Sequence, residues 1–170
     1  PPEVLERIKA ESARKAAGFS SVAAGEGFTQ PFIWPVAGRI SSNWGAQRVL
    51  NGVLGRPHYG VDIAAPEGAL VIAPADGVVA FAETDLFYEG GLLMIDHGQG
   101  LITLYLHLSK LEVGPGQSVK QGQAIGRVGK KGRATGPHLC WRMKWRGQNL
   151  DPSLAVTAFG GPAQPPALQP

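Results

Sequence analysis

Short apolar runs bounded by glycine-rich turns recur between residues 70 and 145. Residues 70–73, 78–81, 92–96, 101–106, 124–128 and 138–145 carry the aliphatic, β-branched and aromatic side chains of strands. Between them lie 74–77, Gly90-Gly91, 97–100, 114–116 and 129–136, where glycine and proline supply turn geometry. Residues 4–17 differ. Val4, Leu5 and Ile8 fall on one side of a helix, and Glu6 can pair with Lys9 three residues later. Short strands, glycine turns and a single helical pattern predict an all-β domain, mainly antiparallel sheet, with a short N-terminal helix. Residues 1–27 then form a helical arm and linker, 28–159 the folded domain, and 160–170 a Pro/Gly-rich tail expected to be disordered for want of apolar area.

Composition narrows the class. The 170 residues suit one compact domain with flanking segments, since a domain commonly takes about 100–200 residues. The 24 Gly and 14 Pro favour turns and short strands over a helical bundle. No run approaches the roughly 18–20 consecutive apolar residues of a membrane-spanning helix. The single cysteine, Cys140, excludes an intramolecular disulfide framework and every multi-cysteine zinc site. The chain begins Pro1-Pro2 without a signal-like pattern and reads as a mature product or an excised piece.

Formal charge is only +3, yet eight of the sixteen Lys and Arg lie between Glu112 and Asp151, where no acid occurs. This basic 120–146 segment suits an anionic polymer as partner, or simply a solvated basic face. Nucleic acid is the weaker partner, because no reading helix or aromatic RNA-binding signature accompanies the charge.

Two-residue alternation over 138–145 puts Leu139, Trp141, Met143 and Trp145 on one face and His138, Cys140, Arg142 and Lys144 on the other. An imidazole thus stands beside a thiol. Such a pair can ligate a metal, act as a Cys/His nucleophilic dyad, or simply be a small residue next to a polar one. His58 and Asp62 form a second candidate pair. Along a straight strand they would stand roughly 13 Å apart, too far to grip one ion, but a bend at Gly60 would bring them together. His107 shares a face with Tyr105 on simple alternation, which lets Tyr105 orient that polar face or only pack. His97, in the turn Asp96-His97-Gly98, reads as an exposed structural residue.

Taken together, His58-x-x-x-Asp62, Tyr105-x-His107-Leu108 and Gly136-Pro137-His138-Leu139-Cys140 resemble the LytM/lysostaphin-like zinc endopeptidases that cut peptidoglycan cross-bridges. Trp34-Pro35-Val36, Gly60-Val61-Asp62-Ile63-Ala64, Asp96-His97-Gly98 and Asp151-Pro152 agree with that family, so the likeness runs from about Phe32 to Leu154. The resemblance implies a β-sheet groove, one Zn2+, peptidoglycan peptide stems as substrate, and a periplasmic or wall-associated setting. It makes His58 and Asp62 metal ligands and His107 and His138 the catalytic imidazoles. The family's third ligand is a His at the position held here by Cys140.

Thiolate is itself a zinc ligand, with Zn–S near 2.3 Å against roughly 2.0–2.1 Å for imidazole nitrogen. It changes the charge. His, Asp and thiolate offset the +2 of zinc, whereas two His and one Asp leave about +1, a stronger Lewis acid. The readings are a working zinc hydrolase using Cys140, a catalytically degenerate wall-binding or hydrolase-regulating domain, and a cysteine nucleophile assisted by His138. Residues 113–126 also resemble the hairpin of biotinyl and lipoyl carriers, but no lysine sits at a hairpin tip between apolar residues. Loops 47–56 and 84–89 are expected to border the groove.

Overall fold

The computed structural model describes residues 1–170. Helix α1 (Pro2–Phe19) leads into strands β1 (Arg39–Ser42), β2 (Val49–Leu50), β3 (Val53–Leu54), β4 (Val61–Ala64), β5 (Leu70–Ile72), β6 (Gly77–Leu86) and β7 (Gly90–Asp96). There follow β8 (Leu101–Leu108), β9 (Lys110–Leu111), β10 (Ser118–Val119), β11 (Ala124–Arg127), β12 (His138–Trp145), β13 (Gln148–Leu150) and a short helix α2 (Leu154–Thr157). The principal sheet runs β1-β4-β12-β8-β7-β6-β10, with β13 attached to β12, and β5-β11-β9 forms a smaller sheet. All strand pairs are antiparallel, as the alternation predicts.

Both faces of the central strands are covered. On one side Val61, Ile63, Leu93, Ile95, Tyr105, Leu139 and Trp141 pack with Val71, Ala73, Ile125 and Val128 of the smaller sheet and its flanks. On the other, Phe81, Leu92, Met94, Ile102, Leu104, Leu106 and Cys140 form a second core, with Phe19 of α1 against it. Double coverage explains why every residue of β7 is buried and why Leu92-Leu93-Met94-Ile95 is continuously apolar. Each fully buried large side chain contributes about 1.5–3 kcal/mol. Trp145 departs from its expected core position. It lies at the strand end, 44% exposed, with the Arg146 guanidinium 5.2 Å from its ring centroid.

The flanking segments are attached to this domain. Gly18 lets α1 approach the sheet so closely that a Cβ there would stand 3.0 Å from both Met94 Sδ and Phe81 Cβ. The expected Glu6–Lys9 pair forms on the outer side of α1. Toward the sheet, Arg14 makes a two-pronged bond to Glu83, and Glu11 accepts the Phe87 N–H. Between α1 and β1, Ser21 Oγ and the Ala23 N–H both donate to the buried Asp96 carboxylate. At the other end Trp34 Nε1 donates to the Pro162 carbonyl and Gly38 N to that of Pro166, while Pro165 is buried. Composition, which alone predicts a disordered tail, does not reveal these partners, because backbone carbonyls carry no sequence signature.

His97 is structural, but buried instead of exposed. It has no accessible surface, its Nδ1 lies 2.8 Å from the Asp76 carbonyl, and its Nε2 lies 2.7 Å from Thr103 Oγ1. The carbonyl can only accept, so Nδ1 donates and Nε2 takes the threonine proton. Burial pulls the His97 pKa down to about 4, against the opposing pull of the Asp76 carbonyl and the Asp96 and Asp76 carboxylates. The folded value thus lies below the unfolded one, near 6.5. Stability is complete above that value and falls as pH drops toward 4. Between pH 7.5 and 4.5 this single group should remove about 2 kcal/mol, and His97→Gln should lose that part of the slope in urea unfolding at the two pH values.

Candidate metal centre

The site is built on the pairing of β4 with β12, which places Cys140 opposite Asp62 and His138 opposite Ala64. Gly60, immediately before β4, is bent. A Cβ on Gly60 would stand 2.9 Å from Arg142 Cγ and 3.1 Å from Cys140 Sγ, so only glycine lets the chain turn this close to β12. The bend does what the sequence requires of it: His58 Nε2 comes within 3.4 Å of Asp62 Oδ1 and 3.7 Å of Cys140 Sγ. One donor atom from each of the three residues lies within 4.8 Å of the others.

His107 and His138 close the other side, with ring centroids 4.9 Å apart. His107 Nδ1 lies 2.8 Å from the Lys131 carbonyl, and His138 Nδ1 2.8 Å from that of Gly136. Both Nδ1 atoms must therefore carry the proton, which leaves each neutral ring with a free lone pair on Nε2. His138 Nε2 is 3.9 Å from Asp62 Oδ1. His107 reaches this face through an irregularity. Its φ is +67°, its N–H donates to the Glu89 carbonyl, and the β7–β8 register shifts between Gly91 and Leu93. Tyr105 consequently points the opposite way. It is fully buried in the principal core, with its hydroxyl 2.7 Å from Thr103 Oγ1, and takes no part in the polar face.

Burial holds His58 below the ordinary imidazole range, with Arg142 and His138 adding to that effect and Asp62 opposing it. Burial likewise lowers His107, against its bond to Lys131, with a further lowering from His138. The Cys140 thiol is pushed up to about 12, chiefly by burial, with Asp62 adding and Arg142 opposing. Asp62 Oδ1 is buried and receives no hydrogen bond. An unpaired carboxylate oxygen facing an imidazole nitrogen and a sulfur is a costly arrangement that a divalent cation would satisfy. His nitrogen, carboxylate oxygen and thiolate are all good ligands for such an ion, and three protein ligands leave a position open for chemistry.

The structure brings His58, Asp62, Cys140, His107 and His138 together, as the sequence leads one to expect, whereas the sequence leaves Arg142 without a role and gives no sign of the two orienting carbonyls. Loop 47–56 borders the site as expected. With Ser42, Arg48, Arg56, His58 and Asp62 it lines a cavity of about 500 Å³. Of the expected loop 84–89, residues 84–86 end β6 and only 87–89 form a turn, which offers the Glu89 carbonyl to the His107 N–H and the Tyr88 carbonyl to the Arg133 N–H. The basic 120–146 segment is dispersed. Lys120 pairs with Asp76, Arg127 with Glu112, and Lys144 lies over the Phe19 ring.

A β-sheet cleft that gathers an imidazole, a carboxylate and a thiol beside two further imidazoles defines a metallopeptidase-type domain. Residues 56–152 match the model of peptidase family M23, and the chain belongs to that family. It is 32% identical over 162 residues to the cell division protein DipM of Caulobacter vibrioides, covering 92% of this chain and 25% of DipM. It is 46% identical over 115 residues to the peptidoglycan DD-endopeptidase ShyA of Vibrio cholerae, covering 66% of this chain and 26% of ShyA. The chain thus spans about a quarter of these curated relatives. Among solved structures, a putative peptidase M23 from Pseudomonas aeruginosa superposes with a TM-score of 0.81 at 37% identity, over 93% of this chain and 64% of that one. A zinc-containing peptidase from Vibrio cholerae gives 0.67 at 36% identity, over 78% and 41%.

The loop that orients His107 depends on close backbone contact between residues 88–90 and 131–132. Gly132 has φ +74°, and a Cβ there would stand 2.5 Å from both Gly90 N and the Tyr88 carbonyl oxygen. Gly132→Ala should cost about 1–3 kcal/mol in urea unfolding. It should also remove the Nδ1–H signature of His107 from long-range proton–nitrogen NMR spectra.

Proposed function

We propose that this domain is a zinc-dependent endopeptidase that hydrolyses peptide cross-links of peptidoglycan outside the cytoplasm. The observation that carries the reading is the buried Asp62 Oδ1, which has no hydrogen bond and is gathered with His58 Nε2 and Cys140 Sγ, with two lone-pair-bearing imidazoles beside it. His58, Asp62 and Cys140 would hold the metal. When bound, a zinc ion there polarises the scissile carbonyl and acidifies water near neutral pH.

The remaining chemistry falls to the protein. His107, kept neutral by burial, can take a proton at Nε2 and return it to the leaving amine. His138 has the same tautomer, and its Nε2, once protonated, can donate to an oxyanion developing beside Asp62. The Lys131 and Gly136 carbonyls hold the two rings in place and stabilise positive charge as it appears on them. Loop 47–56, at the rim, would choose the substrate. Kinship with the DD-endopeptidase ShyA and with the DD-carboxypeptidase/endopeptidase Mpg of Neisseria meningitidis favours a D,D cross-link. No helix is long and apolar enough to cross a membrane.

A second reading is a noncatalytic wall-binding or hydrolase-regulating domain. It is favoured by the thiol itself, whose ionisation is opposed by burial, and by kinship with a protein named for cell division.

Metal content and muropeptide cleavage separate the readings. The native chain should hold one zinc, and Cys140→Ala should lose it. His138→Ala should keep the metal and lose about 100- to 10,000-fold in cleavage rate. Metal-free, inert protein at micromolar zinc would establish the noncatalytic role. Cleavage that resists chelators but is stopped by thiol alkylation would point to a cysteine nucleophile.

A further inference from the structure

Arg142 lies two residues beyond Cys140 on the same face of β12 and is partly buried. Its Nε is 3.3 Å from Cys140 Sγ, the one side-chain hydrogen bond this guanidinium makes. Of the two arginines that are partly buried, Arg127 reaches the Glu112 carboxylate, whereas Arg142 pairs with none. A guanidinium drawn partly out of water without an acid gains from a compensating negative charge nearby. The absence of a Cβ at Gly60 opens the slot in which the Arg142 stem approaches the sulfur. The same bend that delivers His58 thus admits the arginine.

We propose that Arg142 is the charge partner of Cys140: its guanidinium hydrogen-bonds the ligand sulfur and supplies the positive charge that thiolate ligation removes from the metal centre. The inference rests on the metal reading of the site. A divalent ion with one carboxylate, one thiolate and one neutral imidazole has no net charge, and Arg142 returns the ensemble to +1. That is the charge of a centre with two imidazoles and one carboxylate and no arginine. A hydrogen bond to a ligand sulfur also draws electron density away from it, so the thiolate donates less to the ion and the centre stays electrophilic. Arg142 is therefore a positioning and charge-balancing residue that acts through Cys140, and its value depends on residue 140 being a cysteine.

The dependence gives the test. The full chain is titrated with cobalt(II) and with zinc(II), native and as Arg142→Met and Arg142→Lys, each with Cys140 and with Cys140→His. The change in metal Kd on Arg142→Met should be about tenfold less favourable to binding with Cys140 than with Cys140→His, because only the thiolate loses a favourable partner. Arg142→Lys, which keeps the charge, should retain most of that coupling. In the cobalt(II) form, Arg142→Met should move the sulfur-to-metal charge-transfer band to longer wavelength. A packing role predicts instead that Met serves as well as Arg, with no coupling and no band shift, and that result would overturn the proposal. A native chain that takes up neither metal would sink the metal reading and the role of Arg142 with it. Normal uptake with equal Kd ratios in the two backgrounds would overturn the role of Arg142 alone.

Discussion

The site depends on the register between β4 and β12. Asp62 faces Cys140 only because Val61 pairs with Trp141 and Ile63 with Leu139 on the opposite side of the same strands. Those four residues are between 0% and 1% exposed. Slipping either strand by one residue would turn all four toward the polar face and carry Asp62 and Cys140 into the core. Burial of the apolar set, worth several kcal/mol, therefore fixes the relative placement of Asp62 and Cys140 without any contact between their polar atoms having to be favourable. That matters, because the polar contacts themselves are not favourable: Asp62 Oδ1 has no hydrogen bond and burial opposes ionisation of the thiol.

The polar face tolerates these unfavourable groups because the sheet is packed from both sides. Cys140 belongs to the smaller core beneath α1, yet its sulfur opens toward His58 and Asp62. It is a hinge point between dry and polar surroundings. A histidine at this position would bring a polar ring into the edge of that core, whereas a cysteine packs there as a small hydrophobe.

Much of this arrangement is legible in the sequence, and the omissions have definite causes. The alternation from His138 to Trp145 gives β12 with its observed limits, and the bend required at Gly60 is present. The six runs read as strands all lie within or overlap strands of the structure. The short strands β1 to β4, β9, β10 and β13 have two to four residues each, too few for a period of two to stand out. Their pairing comes from partners far along the chain. Simple alternation puts Tyr105 and His107 on one face because it assumes an unbroken pleat, and the positive φ of His107 breaks it. The only sequence trace of that break is indirect, in the glycines at 90, 91, 129 and 132, where backbones meet too closely for a Cβ. His97 appears exposed in a turn until Phe32 and Thr103, from distant segments, close over it.

The helix that composition marks as an arm is connected to this irregularity. Lys15 pairs with Glu89 at 2.5 Å, and Glu11 accepts the N–H of Phe87 while holding Arg7. Glu89 in turn offers its carbonyl to the N–H of His107, the residue whose backbone departs from the strand. A non-glycine residue at positive φ costs on the order of 1 kcal/mol or more and persists only where its surroundings over-determine it. Part of that determination comes from α1 through loop 86–89, and part from the Lys131 carbonyl on the opposite side. The N-terminal helix therefore has a mechanical connection to a site imidazole that it never touches. That connection accounts for buried polar contacts on a helix whose apolar stripe, Val4, Leu5 and Ile8, is too slight to dock it alone, with Leu5 60% exposed.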